Sequence, residues 1–141
     1  MKQPAVSIAA LLLLWASFSY SSTIPKVIFD TDMTGDCDDC GALAVLHALA
    51  DRGEVEVLGC IASYGANPYV AGCIDAINTW YGRGDLPIGA EQADYGRTES
   101  HYLKAIATGQ ARYGHDVVKN ADVPDHVTVY RQLLSEQPDG S

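Results

Sequence analysis

Val27-Ile-Phe-Asp-Thr-Asp-Met-Thr-Gly-Asp-Cys-Asp-Asp-Cys-Gly-Ala-Leu43 decides how the rest of this chain is read. Its first three residues are apolar and follow Pro25, so the stretch opens as a short buried strand. Asp30, Asp32, Asp36, Asp38 and Asp39 come next, five carboxylates in ten residues with Gly35 in the turn. From Asp38 onward Ala42-Leu43, Val45-Leu46 and Leu49 recur at helical spacing, so the acidic cluster opens a helix. Strand, acidic turn and helix in that order place side chains at the carboxyl edge of a parallel sheet, where open α/β folds bind ligands. Like charges this dense repel one another unless water or a shared cation screens them. Hard carboxylate oxygens suit Ca²⁺ or Mg²⁺ rather than zinc. Helix capping explains part of the cluster, with Asp36 as an N-cap and Asp38 and Asp39 in the first turn. It leaves Asp30 and Asp32, at the strand end, unexplained.

Outward from that stretch the pattern alternates. The first helix is expected to run to Asp51-Arg-Gly53, with Gly53 as its stop. Val55–Ala62 is mostly apolar and reads as a second buried strand, which completes a right-handed βαβ unit with parallel strands. Ser63–Pro68 then forms a turn-rich loop on the same edge as Asp32, and this places Asn67 near the carboxylates. A second helix is predicted over Tyr69–Tyr81, ended by Gly82-Arg-Gly84, and a short third strand over Leu86–Ala90. Residues 91–122 are polar, with one short helix near Tyr102–Ala107, and read equally as a substrate-facing lid or as a surface segment with aromatic anchors. Pro124–Leu134 is a further helix, followed by the turn Gln137–Ser141. A β–α–β–α–β series of this kind awaits another strand, so the expectation is a fragment of a longer protein. None of His47, His101, His115 and His126 has a spacing that makes a site; His47, inside the first helix, reads as a packed or surface residue.

With 141 residues, 48% of them hydrophobic and 19% charged, the chain can bury one globular core. Lys2 followed by the apolar Ala9–Ala16 and by Ser19-Tyr20-Ser21 reads as a secretory signal peptide over residues 1–21, with 22–141 as the folded portion. Export to the periplasm or outside the cell follows, with no membrane attachment after cleavage. Losing Lys2 takes the formal net charge from −9 to −10, and so acidic a surface excludes nucleic acid as a partner. Cys37, Cys40, Cys60 and Cys73 read mainly as small buried hydrophobes. If one disulfide forms, Cys60 with Cys73 is the expected pair.

Three chemistries fit the acidic turn. Asp30-x-Asp32-x-Thr34-Gly35-Asp36-x-Asp38 follows an EF-hand calcium loop to its ninth position, but Gly41 stands where a bidentate Glu belongs, and a strand precedes it. Val27-Ile-Phe-Asp30-Thr-Asp32-Met-Thr34 resembles the first motif of haloacid-dehalogenase phosphatases, which would make Asp30 the nucleophile, Asp32 the acid/base and Mg²⁺ the cofactor. The same stretch also resembles the N-terminal signature of the inosine/uridine-preferring nucleoside hydrolases, in its longer-turn form DxDM-x-x-D-x-DD. That resemblance continues through Asn67–Arg83, Asp85–Gly89 and Val129–Ser141, so it spans residues 26–141, with 91–122 its weakest part.

The resemblance implies an open, mostly parallel Rossmann-like α/β fold, present as its N-terminal part, and hydrolysis of the N-glycosidic bond of ribonucleosides by a Ca²⁺-bound water. By the same resemblance Asp32 is a Ca²⁺ ligand and the general base, Asp39 a bidentate ligand, Asp38 and Asn67 hold ribose hydroxyls, and Asp30 orients them from behind. The implied partner is a small nucleoside, with assembly into a homo-oligomer left open. Two departures stand out: Thr34-Gly35 replaces the usual Gly-Asn, and Cys40 stands where Ala is usual. The family's remaining ligands would lie past residue 141, so this stretch alone is expected to bind Ca²⁺ weakly and to hydrolyse nothing.

Overall fold

The computed structural model describes residues 24–93 and 100–138; the signal-peptide assignment, Tyr95 and the end of the final turn lie outside them. The elements are β1 (Lys26–Thr31), α1 (Asp38–Asp51), β2 (Glu56–Ala62), α2 (Val70–Trp80), β3 (Ile88–Ala90), α3 (Leu103–Ala107), α4 (Gln110–Tyr113), a 3-10 turn (Asn120–Asp122) and α5 (His126–Ser135). The three strands form one open, all-parallel sheet in the order β1-β2-β3, an α/β arrangement. Ala62 pairs with both Thr31 and Ala90, so all three strands finish level at one rim.

Burial follows the alternation of the strands. Phe29, Cys60, Ala62 and Ile88 join Leu43 and Leu46 of α1, Val70 and Ile74 of α2, and Leu103 of α3 in the main core. The opposite face is thinner: Ile28, Leu58 and Ile61 pack under Val129, Tyr130 and Leu133 of α5. The pairing slips between Val27 and Ile28, opposite Val57 and Gly59, which leaves Leu58 as the extra residue of a bulge. Gly59 is needed where α5 crosses, because a Cβ there would lie 2.7 Å from Leu133 Cδ1 and 2.8 Å from the Pro87 carbonyl. Gly53 and Gly82 end α1 and α2 in the left-handed conformation, at φ +69° and +73°. α5 starts one residue after Asp125, whose carboxylate caps the N–H groups of Val127 and Thr128 at 3.0 and 3.3 Å.

The long polar excursion is strapped along α2. Asp75 is buried and accepts the N–H groups of Asp116 and Val117, and the His115 ring bonds the Ala107 carbonyl at 2.9 Å. His47 is a packed residue: fully buried, it bonds Asn78 Oδ1 at 2.9 Å and stacks on Tyr81 at 4.8 Å between ring centroids. Burial therefore holds its ring below the usual histidine range, with the Asn78 bond opposing. All four cysteines are free thiols: Cys60 and Cys73 are buried, as small core residues, without the bridge named for them had a disulfide formed, while Cys40 is half-buried and Cys37 exposed. Cys60 instead meets Asn78, with Nδ2 3.6 Å from its sulfur. No helix among the described residues is long and apolar enough to cross a membrane.

Candidate functional site

The acidic turn is built on the last residue of β1. Alternation turns Thr31 inward, where it is 3% exposed, and its hydroxyl accepts the N–H of Met33 at 3.0 Å while bonding the Asp39 carboxyl. One hydroxyl can do both, because it carries one proton and two lone pairs. Met33, fully buried, plugs the core beneath the turn. From the far side, Tyr102 donates its O–H to the Asp36 carbonyl.

α1 begins at Asp38 behind Cys37, which offers no side-chain cap. Asp36 is thus no N-cap. It joins Asp38 and Asp39, and one carboxylate oxygen from each lies within 4.8 Å of the other two. Asp36 and Asp38 are exposed and Asp39 is half-buried. The Asp39 carboxyl is held above the usual carboxylate range, first by burial. The Thr31 hydrogen bond opposes this, and the charges of Asp32, Asp38 and Asp36 reinforce it. Asp32 lies outside the tight group, although its charge still reaches Asp39. No Lys or Arg among the described residues pairs with these carboxylates. An all-oxygen donor set with uncompensated charge fits a hard divalent cation, and Asp36 is a donor that the capping reading set aside.

The other two expected site residues are placed differently. Asp30 follows Ile28 onto the α5 face, and its carboxylate accepts the O–H of Tyr130. Burial, with the charge of Asp30 added, pushes the Tyr130 phenol up to about 12. Asn67 sits in the loop after β2, on the rim that carries the acidic turn, and is 7% exposed. Its carboxamide oxygen accepts the Tyr69 N–H at 3.0 Å ahead of α2. Asn120 fixes that loop: its Nδ2 donates to the Asn67 carbonyl at 3.1 Å, and its Oδ1 accepts the Ala71 N–H at 3.0 Å. Beside the loop, Gly65, Ala66, Pro68, Glu91, Gln92 and Asn120 line a partly polar cleft of about 240 Å³.

The structure therefore brings Asp38 and Asp39 together with Asp36, keeps Asp32 at their margin, and turns Asp30 toward α5. Thr31 as a carboxylate partner was readable from strand alternation. Tyr102 and Asn120 stand 66 and 53 residues from the groups they hold, and no local pattern announces them. Comparison with family models, with curated proteins and with solved structures finds no match to this chain.

Proposed function

We propose that this chain carries the acid-rich part of a nucleoside N-ribohydrolase site on a Rossmann-like sheet, cleaving ribonucleosides to free base and ribose with Ca²⁺ at the acidic turn. The observation that carries this reading is the grouping of Asp36, Asp38 and Asp39 within 4.8 Å at the rim where β1 and β2 both end. Cleaving an N-ribosidic bond passes through an oxocarbenium-like sugar, which needs a nucleophilic water, a grip on the ribose hydroxyls and a departing base. Bound Ca²⁺ supplies acidity and orientation to that water.

The chain's own groups do the rest. Asp39 and Asp32 hold the ion by resemblance, and the grouping adds Asp36 as a neighbour able to share it. Asp32, exposed at the strand end, takes the proton of the water. Asp38 and Asn67 receive ribose hydroxyls, with the Asn67 loop held in place by Asn120. Asp30, held by Tyr130, steadies the strand end behind them. The EF-hand alternative is less well supported, because β1 rather than a helix leads into the turn.

Two measurements test the proposal. Titration of this chain with Ca²⁺ should give saturable binding that Asp39→Asn removes. In the complete hydrolase that the proposal implies, Asp32→Ala should cut hydrolysis of inosine and uridine by roughly a thousandfold or more, as expected for loss of a general base beside a metal. Wild-type turnover in that variant would overturn the role of Asp32. Mg²⁺-dependent release of phosphate from a simple phosphoester, abolished by Asp30→Asn, would replace the proposal with the phosphatase reading.

A further inference from the structure

We infer that two copies of this chain join edge to edge along β1, antiparallel and centred on Ile28, so that their sheets become one. The inference concerns the 141-residue chain and does not rest on the hydrolase reading. β1 is an outer strand, and among the described residues no strand pairs with its other edge. Such an edge is a row of backbone donors and acceptors open to a second strand. The Pro25 and Thr31 carbonyls face β2, where they accept the N–H groups of Glu56 and Ser63. The bulge lies in β2 at Leu58, so alternation along β1 is unbroken. The N–H and C=O groups of Lys26, Ile28 and Asp30 therefore point to the open edge.

Charge selects both the partner and the register. In an antiparallel pair centred on Ile28, Lys26 of each copy lies opposite Asp30 of the other, and both residues are exposed. Every outward backbone group of Lys26, Ile28 and Asp30 then has a partner. Centred on Lys26 or on Asp30, the pair would set one charge against its own copy. Centred on Val27 or on Phe29, it would set Asp30 against Ile24 or Ile28. On the α1 face the chosen register places Val27 opposite Phe29, a β-branched residue against an aromatic one. Those two residues, with Ala42, Val45, Leu46 and Leu49 of α1, line an open apolar groove of about 590 Å³ beside the edge. Val45 is 60% exposed there. A twofold axis through the Ile28 pair keeps like faces of the two sheets together, so α1 of each copy covers the groove of the other.

The test is sedimentation equilibrium of the full chain over a wide range of concentrations, with hydrogen exchange and carbodiimide cross-linking on the same samples. The expected result is a 15.1 kDa monomer in reversible exchange with a dimer, and slow exchange of the Lys26, Ile28 and Asp30 amides that quickens on dilution. In a mixture of isotope-labelled and unlabelled chains, the cross-linker should join Lys26 of one copy to Asp30 of the other. Val45→Lys should raise the dimer dissociation constant roughly tenfold or more while leaving the circular dichroism spectrum unchanged. Lys26→Asp should also weaken the dimer, and adding Asp30→Lys to that variant should restore it. A monomer at every concentration would overturn the inference. That holds equally if its outward amides exchange slowly, since a segment of the same chain then occupies the edge. Dimers that survive Val45→Lys, cross-link elsewhere or fail to return with the charge swap would overturn it too.

Discussion

Asp39 in the first turn of α1 and Asp75 in the middle of α2 are the same residue type, and burial raises both carboxyls, yet their surroundings differ in kind. Asp75 is 1% exposed and accepts the N–H groups of Asp116 and Val117 at 3.1 and 2.9 Å. Those bonds oppose the effect of burial and tie the polar excursion to α2. Asp39 has one opposing hydrogen bond, from Thr31, and three neighbouring carboxylates that make its position worse. One acid is completed by its own fold. The other keeps like charge beside it that no Lys or Arg among the described residues balances, and the proposed cation site rests on that contrast rather than on acidity alone.

The contrast is broken most directly at Asp75. Asp75→Ala leaves two backbone donors without their acceptor in a buried setting, and the expected loss is about 2–4 kcal/mol of unfolding free energy with no dependence on Ca²⁺. Asp75→Asn keeps one carboxamide oxygen for those donors and should cost roughly half as much. Urea denaturation of the two variants checks both figures. If Asp75→Ala costs no more than Asp39→Asn in metal-free buffer, the two acids are not different in kind.

Asp39 should respond in the opposite way. In metal-free buffer Asp39→Asn is expected to leave stability unchanged or to raise it slightly, since it removes a crowded charge. Wild-type protein at 10 to 100 times its Ca²⁺ dissociation constant should gain roughly 1.4–2.7 kcal/mol, and the variant should gain nothing. The pH dependence carries the same sign. A carboxyl whose folded pKa lies above its unfolded value of 3.8 binds its proton more tightly in the folded state. Its contribution therefore favours folding at low pH and weakens as pH rises through the folded pKa. The advantage of Asp39→Asn over the metal-free wild type should be present at neutral pH and vanish below about pH 4, as read from denaturation midpoints of both proteins in EDTA. Ca²⁺ should reverse that ordering at neutral pH.

Much of this arrangement was legible in the chain itself, because it is local. The apolar run at Val27–Phe29, the helical spacing after Asp38 and the glycines at 53 and 82 each specify their own element, and β1, α1 and α2 follow within a residue or two. Parallel pairing then carries Asn67 to the same rim as the acidic turn. What the sequence could not separate were outcomes that depend on distant groups. Capping and ligation predict the same residues at a helix start, and only the positions of Asp38 and Asp39 relative to Asp36 distinguish them. The sequence favoured Cys60 with Cys73 if a disulfide formed, and could not see that Cys60 meets Asn78 of α2. The anchoring of residues 100–122 likewise runs through Asp75 and Asn120, whose partners are 41 to 53 residues away.

Asp30 provides the smallest and most discriminating comparison, because it lies between the two kinds of acid. Its carboxylate has a partner, as Asp75 does, but that partner is a single phenol on the thinner face of the sheet, and both groups remain open to water. A hydrogen bond of that exposure contributes little, so Tyr130→Phe, which keeps the ring packed against Val129 and Leu133, should cost about 0.5–1 kcal/mol. A double-mutant cycle with Asp30→Asn isolates the pair from the packing of the ring. Under the proposed hydrolase reading, Asp30→Asn should lower kcat while leaving KM nearly unchanged, since that reading assigns Asp30 to steadying the strand end and not to gripping the sugar. A coupling energy above about 2 kcal/mol with no change in kcat would place Asp30 beside Asp75, as an acid whose whole task is to hold the fold together.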